Sequence, residues 1–302
     1  MNFIQCWLLL IKKATLILFK IKKIMSKENL VVSFSGGETS AFMARWLIDN
    51  KSNKYNMLFI FANTGDEEEK TLEFINKCSI EWNLNVVWVE TVVHHNERKG
   101  STYKVVDFKN ASRNREPFEE IIKKYGIPNQ NFPHCNRELK LAPINSYVKS
   151  LGWKNYKTAI GIRSDEFDRV NQNHKKLNLY YPLVSDYPTT KQFISRWWSK
   201  QNFRVELKSY QTNCRTCWKK SKSVLYTIYK ENPEYFDWNT EMEKKYGKDK
   251  YTFFREGTTA LQLIEDSKSF NGKIRDLHQE LEYQIDMFNN ESCDVYSLCG
   301  ND

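Results

Sequence analysis

Leu30-Val31-Val32-Ser33-Phe34, followed at once by Ser35-Gly36-Gly37-Glu38-Thr39-Ser40, is the stretch that decides the fold. The first five residues are short, mostly apolar and partly β-branched, the pattern of a buried strand. The run breaks at Ser35-Gly36-Gly37, and Ser40-Ala41-Phe42-Met43-Ala44-Arg45-Trp46-Leu47 continues as a helix. Strand, glycine turn and helix in that order make an anion site. Gly36 and Gly37 permit backbone conformations closed to other residues and let a phosphate approach closely. Loop N–H groups and the helix N-terminus supply donors and a favourable dipole, while Ser35, Thr39 and Ser40 add hydroxyls. The loop lacks the Gly-Lys-Ser/Thr ending of a Walker loop and the spacing of a dinucleotide fingerprint, which disfavours both classes.

The same rhythm continues outward. A second buried strand, Met57-Leu58-Phe59-Ile60-Phe61, ends at Asn63-Thr64-Gly65. The acidic cluster Asp66 to Glu69 suits a helix N-terminus, and that helix carries Leu72, Ile75, Cys78 and Trp82 toward the core. A third strand covers Val86-Val87-Trp88-Val89. Strands alternating with helices predict an α/β fold with a parallel sheet. Residues 94–133 are polar and carry Pro117, Pro128 and Pro133, so they read as an insertion over the strand ends with a helix near 117–125. A helix over 138–150 and a strand at Lys157-Thr158-Ala159-Ile160 follow. Ligands in such sheets bind at the carboxyl ends of strands, which places Asn63, Thr64 and Gly65 in the nucleoside pocket. After about residue 188 the pattern turns helical. Three parts are expected: a leader at 1–24, a nucleotide-binding domain at 25–187, and a helical, cysteine-containing region at 188–302. Phe193, Trp197, Trp198 and Phe203, with basic residues between them, read as a buried helix; base stacking is the alternative. Adjacent His94 and His95 point in different directions on a strand and make a poor metal pair.

The 302 residues carry a formal charge of +9, but five of those charges are Lys12, Lys13, Lys20, Lys22 and Lys23 in a leader without acidic residues. Subtracting five from +9 leaves +4 for the rest, a weak nucleic-acid signal. No apolar run in the leader reaches the roughly 18 residues of a membrane span. Met25 is the expected start and the cytoplasm the expected location; a basic amphipathic helix on a membrane surface is the alternative.

Ser35-Gly36-Gly37-Glu38-Thr39-Ser40 resembles the Ser-Gly-Gly-x-x-Ser signature of PP-loop ATP pyrophosphatases, and more closely the phosphoadenosine phosphosulfate (PAPS) reductase-like branch, phage forms included. Asn63-Thr64-Gly65 with Glu67, Thr71-Leu72-Glu73-Phe74, Pro117-Phe118, Cys135 with Lys140-x-x-Pro143, Gly161-Ile162-Arg163-Ser164-Asp165-Glu166 with Arg169, and Asn213-Cys214-x-x-Cys217 extend the likeness over about residues 29–220. The resemblance implies a doubly wound, mostly parallel sheet of the adenine nucleotide alpha hydrolase type. It implies an enzyme acting at the α-phosphate, with Arg163, Arg169 and Lys140 on phosphates and Mg²⁺ beside Asp165 and Glu166. Many pyrophosphatases have Asp where this chain has Thr39. The intact Ser-Gly-Gly favours ATP over a sulfonucleotide.

Seven cysteines at uneven spacing do not resemble a secreted disulfide framework. Cys214-x-x-Cys217 is a short chelate suited to zinc or iron–sulfur. In one reading Cys135, Cys214, Cys217 and a C-terminal cysteine, Cys293 or Cys299, hold a 4Fe–4S cluster. In the other, Cys214 and Cys217 join Cys293 and Cys299 around structural zinc. Cys299-Gly300 also resembles the mobile tail that supplies the reductases' nucleophile.

Three functions follow. The first is ATP-dependent adenylation of tRNA, DNA or a small molecule, coupled to sulfur transfer from cysteine or a sulfur-donor protein. The second is sulfonucleotide reduction by Cys299 with thioredoxin. The third is a nucleotide-gated module that binds nucleic acid or a partner without turnover.

Overall fold

A computed structural model describes residues 27–96, 98–212, 214–247, 252–272, 274 and 276. The leader, Cys6, Asn213, Cys293 and Cys299 lie outside the described residues.

Strand β1 (Glu28–Ser33) runs beside β2 (Tyr55–Ala62), then β3 (Val87–Val92) and the edge strand β4 (Thr102–Val106). On its other side lie β5 (Lys157–Ala159) and β6 (Leu179–Tyr180), giving the order β4-β3-β2-β1-β5-β6. Every pairing is parallel except β3 with β4. In this doubly wound α/β sheet the chain leaves β1 toward β2 and returns to β5 on the opposite side. The carboxyl ends of β1 and β5 therefore flank the crevice where such sheets bind ligands.

The period-2 alternation of strands sorts the core into two layers. Leu30, Val32 and Phe34 meet Phe42, Leu47, Leu72, Ile75 and Cys78, from helices α1 (Glu38–Lys51) and α2 (Glu69–Glu81). Val31, Ile60 and Val89 turn the other way, onto Val148. That residue belongs to α4 (Ala142–Ser150), which continues a π-helical turn at Arg137–Leu141. Helix α3 (Glu116–Tyr125) precedes that turn.

The expected strands and helices are present at these places, and β4 and the short β6 are the additions. Residues 94–133 supply a sheet edge as well as a helix. A short helix α5 (Pro182–Ser185) leads to α6 (Lys191–Trp198). Trp198 of α6 is fully buried in the first layer, with Ile194 and Val205, and the half-buried Trp197 and Phe203 pack against it, whereas Phe193 is exposed. Helices α7 (Lys222–Glu231), α8 (Asp237–Tyr246) and α9 (Ala260–Ser269) build a second core. There Leu225, Ile228, Phe236, Met242 and Leu263 pack on Phe118, Ile121, Ile122 and Leu139. Among the described residues no helix is long and apolar enough to cross a membrane.

Candidate functional site

After β1, the Phe34 N–H donates to Ile60 O (2.9 Å) and the chain turns through Gly36 at φ +80. A Cβ on Gly36 would stand 2.5 Å from Thr71 Cγ2 and 3.0 Å from Ile75 Cδ1, so the loop is pressed onto α2. Gly37 is the opposite case: a Cβ there would meet nothing within 4 Å. It caps α1 without a side chain. Ser40 latches the loop, its hydroxyl donating to Gly37 O (2.9 Å) and accepting from Ser35 N (3.2 Å) and Ser35 Oγ (3.1 Å). The first N–H groups of α1 have no intrahelical acceptor and face outward with the positive end of the dipole.

A cavity of about 290 Å³ opens above this loop, lined by Ser35, Gly37, Thr39 and Ser40 and facing Arg163, Arg169 and Lys191. Arg163 donates from Nη1 to Thr39 Oγ1 (3.2 Å), which leaves the Thr39 proton for a ligand. Gly161 has to be small, because a Cβ there would come within 3.1 Å of Ser40 Cα; this close approach brings the chain after β5 against the loop. Asp165 and Glu166 hold the arginines. Asp165 accepts from Arg163 Nε (2.9 Å) and Lys191 N (3.1 Å), and Glu166 pairs with Arg163 (3.2 Å) and with Arg169. Burial alone would lift the Asp165 pKa, but Arg163 and the Lys191 N–H hold it below the usual carboxylate range. With their oxygens engaged by arginines and backbone, these two acids do not fit as Mg²⁺ ligands as they stand; they fix the guanidinium positions. Lys191, which the sequence offered only as one of the basic residues of the aromatic stretch, is pushed down by burial and then by the Arg163 charge.

Of Asn63, Thr64 and Gly65, only Thr64 lines either cavity described here. Asn63 is completely buried and spends its amide inside the protein, donating to Glu90 Oε1 (2.6 Å) and Ser112 O (2.8 Å). Gly65, at φ +78, packs against the Arg115 backbone. The acids that follow do not simply cap α2. Glu67 binds the Thr64 hydroxyl and N–H, and Glu68 accepts from Tyr235 (2.8 Å). Asp66 takes Arg115 in a buried ion pair and Arg215 at 3.4 Å, tying the turn to the segment that carries Cys214 and Cys217. This Asp66–Arg115–Arg215 junction carries no local sequence signal beyond the clustered acids.

Thr64 opens onto a second cavity, of about 470 Å³, lined by Cys135, Cys214, Cys217, Lys140, Lys220 and Asp66, and by Arg169, which also lines the first. Three of the expected metal ligands are thus brought together, with Thr64 Oγ1 3.7 Å from Cys214 Sγ. Burial pushes the Cys214 and Cys217 thiols well up. Lys140 would be pushed down by burial, but the facing thiols and Glu67 outweigh it and raise its pKa. Glu67 is itself raised by burial against the pull of Lys140. Lys140 therefore stands among thiols, while the exposed Arg137 turns to the buried Glu138 (2.6 Å). Sharing a cavity does not make a metal centre. Among the described residues no three His, Cys, Asp or Glu side chains are grouped to hold a metal ion, and the expected further ligands Cys293 and Cys299 lie outside them. His94 and His95 bind Thr102 and Glu120 separately.

A sheet whose switch point carries a glycine anion loop, faced by three cations, has the arrangement that α/β proteins use for phosphate ligands. The family model of the phosphoadenosine phosphosulfate reductase domain matches residues 29–111. The chain is 32% identical over 200 residues to an uncharacterized nin region protein of Escherichia phage lambda, covering 65% of this chain and 67% of the relative. It is 29% identical over 160 residues to an uncharacterized protein of Methanocaldococcus jannaschii, and 23% over 155 residues to another from that organism. Each match covers 51% of this chain, but only 31% and 27% of those longer relatives. The chain belongs to the phosphoadenosine phosphosulfate reductase-like family, within the PP-loop superfamily, and that family's use of adenine nucleotides fits the loop.

Proposed function

We propose that the protein binds ATP with its phosphates in the loop cavity and acts at the α-phosphate. An anionic acceptor oxygen attacks the α-phosphorus, the bond to the bridging β-phosphate oxygen breaks, and pyrophosphate leaves. The acceptor becomes an adenylate. The observation that supports this reading is that Arg169 lines both cavities, so one guanidinium reaches both the loop expected to hold the phosphates and the chamber that holds the thiols. Loop N–H groups, Arg163, Arg169 and Lys191 would stabilise the charge that gathers on the leaving pyrophosphate, the electrostatic contribution that usually dominates such catalysis. No general base is needed when the acceptor is already ionised. One of Cys135, Cys214 and Cys217, loaded as a persulfide by a sulfur-donor protein, would then attack the adenylated carbon and expel AMP. A second thiol would break the resulting disulfide to leave the sulfur on the acceptor, and an external dithiol would reduce the cysteine pair, in a cytoplasm that keeps thiols reduced.

The test is release of pyrophosphate and AMP from α-labelled ATP by the full chain, offered tRNA, DNA and small carboxylates. Arg163→Ala is expected to lower turnover by about 10²–10³, the scale of losing one preorganised charge donor. Turnover that survives Arg163→Ala unchanged would overturn the reading. The description of the matching family favours a second reading, sulfonucleotide reduction. There a thiol attacks the sulfur, the nucleotide leaves, and a dithiol such as thioredoxin reduces the resulting S-sulfonate and releases sulfite. Sulfite release that vanishes in Cys299→Ser would favour it.

A further inference from the structure

We infer that the thiol cavity is a site for a small carboxylate with an apolar body, its anionic end set on Lys140. Lys140 lines this cavity together with Cys135, Cys214 and Cys217, and it stands within electrostatic reach of all three thiols and of Glu67. It is half-buried, and among the described residues it has no hydrogen-bond or ion-pair partner. The buried polar atoms without a partner do not include its ammonium, so that group keeps accessible surface on the cavity it lines.

The neighbouring charges are already engaged. Asp66 is held between Arg115 and Arg215, Arg169 pairs with Glu166, and Lys220 donates to Tyr210 O (2.8 Å). Glu67 accepts from the Thr64 hydroxyl and N–H. Lys140 is thus a cation drawn partly out of water without a paired anion, a costly state that an anionic ligand relieves. The rest of the wall decides which anion. Phe118, Leu139, Trp218 and Phe253 line the same space of about 470 Å³. Such walls strip water from an inorganic oxyanion and return no hydrogen bonds. A carboxylate on a hydrocarbon body sets its charge on Lys140 and its body on these side chains, the usual division of a small-molecule site.

The site deepens the proposed function and rests on it in one respect, that this carboxylate is the acceptor. A carboxylate is ionised at neutral pH, as attack on the α-phosphorus without a base requires. Iodoacetate and iodoacetamide test the site, because they differ only in carrying a carboxylate or a neutral amide. Both alkylate a thiol: the S–C bond forms, iodide leaves and the thiol proton goes to the buffer. Each would be added to the full chain, with glutathione as the open reference, and labelling of Cys135, Cys214 and Cys217 followed by peptide mass spectrometry. The ratio of iodoacetate to iodoacetamide rates at these thiols is expected to exceed that of glutathione about tenfold, the scale of one hydrogen bond to a charged group. Taking the ratio cancels changes in the general reactivity of the thiols. Lys140→Met should bring it down to the glutathione value, and Lys140→Arg should keep most of the excess. Phenylpropionate should slow labelling by iodoacetamide, and sulfate at the same concentration should not. A parent ratio equal to that of glutathione, a ratio unmoved by Lys140→Met, or equal protection by sulfate would overturn the site. The first and last of these use the parent chain alone, so they stand even where a variant fails to fold. None of the readouts needs ATP: a charge preference without carboxylate-dependent pyrophosphate release would sink the adenylation and leave the site.

Discussion

Gly36 and Gly37 are neighbours with opposite jobs, and replacing each by alanine separates them. Gly36 sits at φ +80, where an L side chain is strained, and its new Cβ would fall 2.5 Å from Thr71 Cγ2 and 3.0 Å from Ile75 Cδ1. Thr71 and Ile75 are both buried on α2, so neither has room to yield. The left-handed backbone costs about 1–2 kcal/mol and overpacking about 1–3 kcal/mol. Gly36→Ala should therefore lose roughly 2–5 kcal/mol, a large part of the ~5–15 kcal/mol that holds a domain. Gly37→Ala should cost little stability, because φ is −99 and its Cβ meets nothing within 4 Å. That methyl group enters the cavity where the phosphates are expected, so ATP affinity should fall in a protein that unfolds normally. Urea unfolding followed by circular dichroism measures the first effect, and calorimetry with ATP the second. Equal unfolding midpoints for the two variants would refute the packing account. Full ATP affinity in Gly37→Ala would refute the placement of the phosphates.

Asp66→Asn leaves Arg115 and Arg215 without their shared carboxylate in a buried setting, a change expected to cost about 3–5 kcal/mol; a urea midpoint equal to the parent's would contradict it. Glu243 accepts from Phe253 N (2.9 Å) and Ala260 N (2.8 Å), but burial raises its pKa above the ordinary carboxylate value. A raised folded-state pKa gives stability that is present below the unfolded value and lost as pH rises through the folded one. Stability measured from about pH 4 to about pH 7 should therefore decline less steeply in Glu243→Gln than in the parent; identical slopes would show that Glu243 titrates normally.

Much of the sheet was legible because its central strands are buried on both faces and so read as uninterrupted apolar runs, as in Leu30 to Phe34 and Met57 to Phe61. Strand β4 was not. Thr102–Val106 is a half-exposed edge that, among the described residues, pairs only with β3 and antiparallel, and such a strand shows little hydrophobic contrast. In the site, the loop and Arg163 announce themselves through local motifs. Asn63 looked like a ligand contact because its turn ends a strand, yet its amide is consumed by Glu90. Asp165 and Glu166 looked like metal ligands because acids beside phosphates often are, whereas distance alone reveals their arginine partners. Lys191, the Asp66 junction and the place of Lys140 among the thiols depend on contacts between segments far apart in the chain. Sequence periodicity carries no record of such contacts.

The second core also governs the order in which the molecule is completed. Phe118, Ile121, Ile122 and Leu139 bury their side chains against Leu225, Phe236, Met242 and Leu263. During synthesis from the N-terminus, the first four are made well before any of their partners. The sheet can close around β1 while α3 still presents an uncovered apolar face, and contacts of such wide sequence separation form slowly. The thiol cavity is lined from both groups, by Phe118 and Leu139 on one side and Trp218, Trp238 and Phe253 on the other. A ribosome-bound chain stopped short of α7 would thus carry the phosphate loop and all three thiols but lack Trp238, Asn239 and Phe253, so the wall of the second cavity is completed only as the last helices dock.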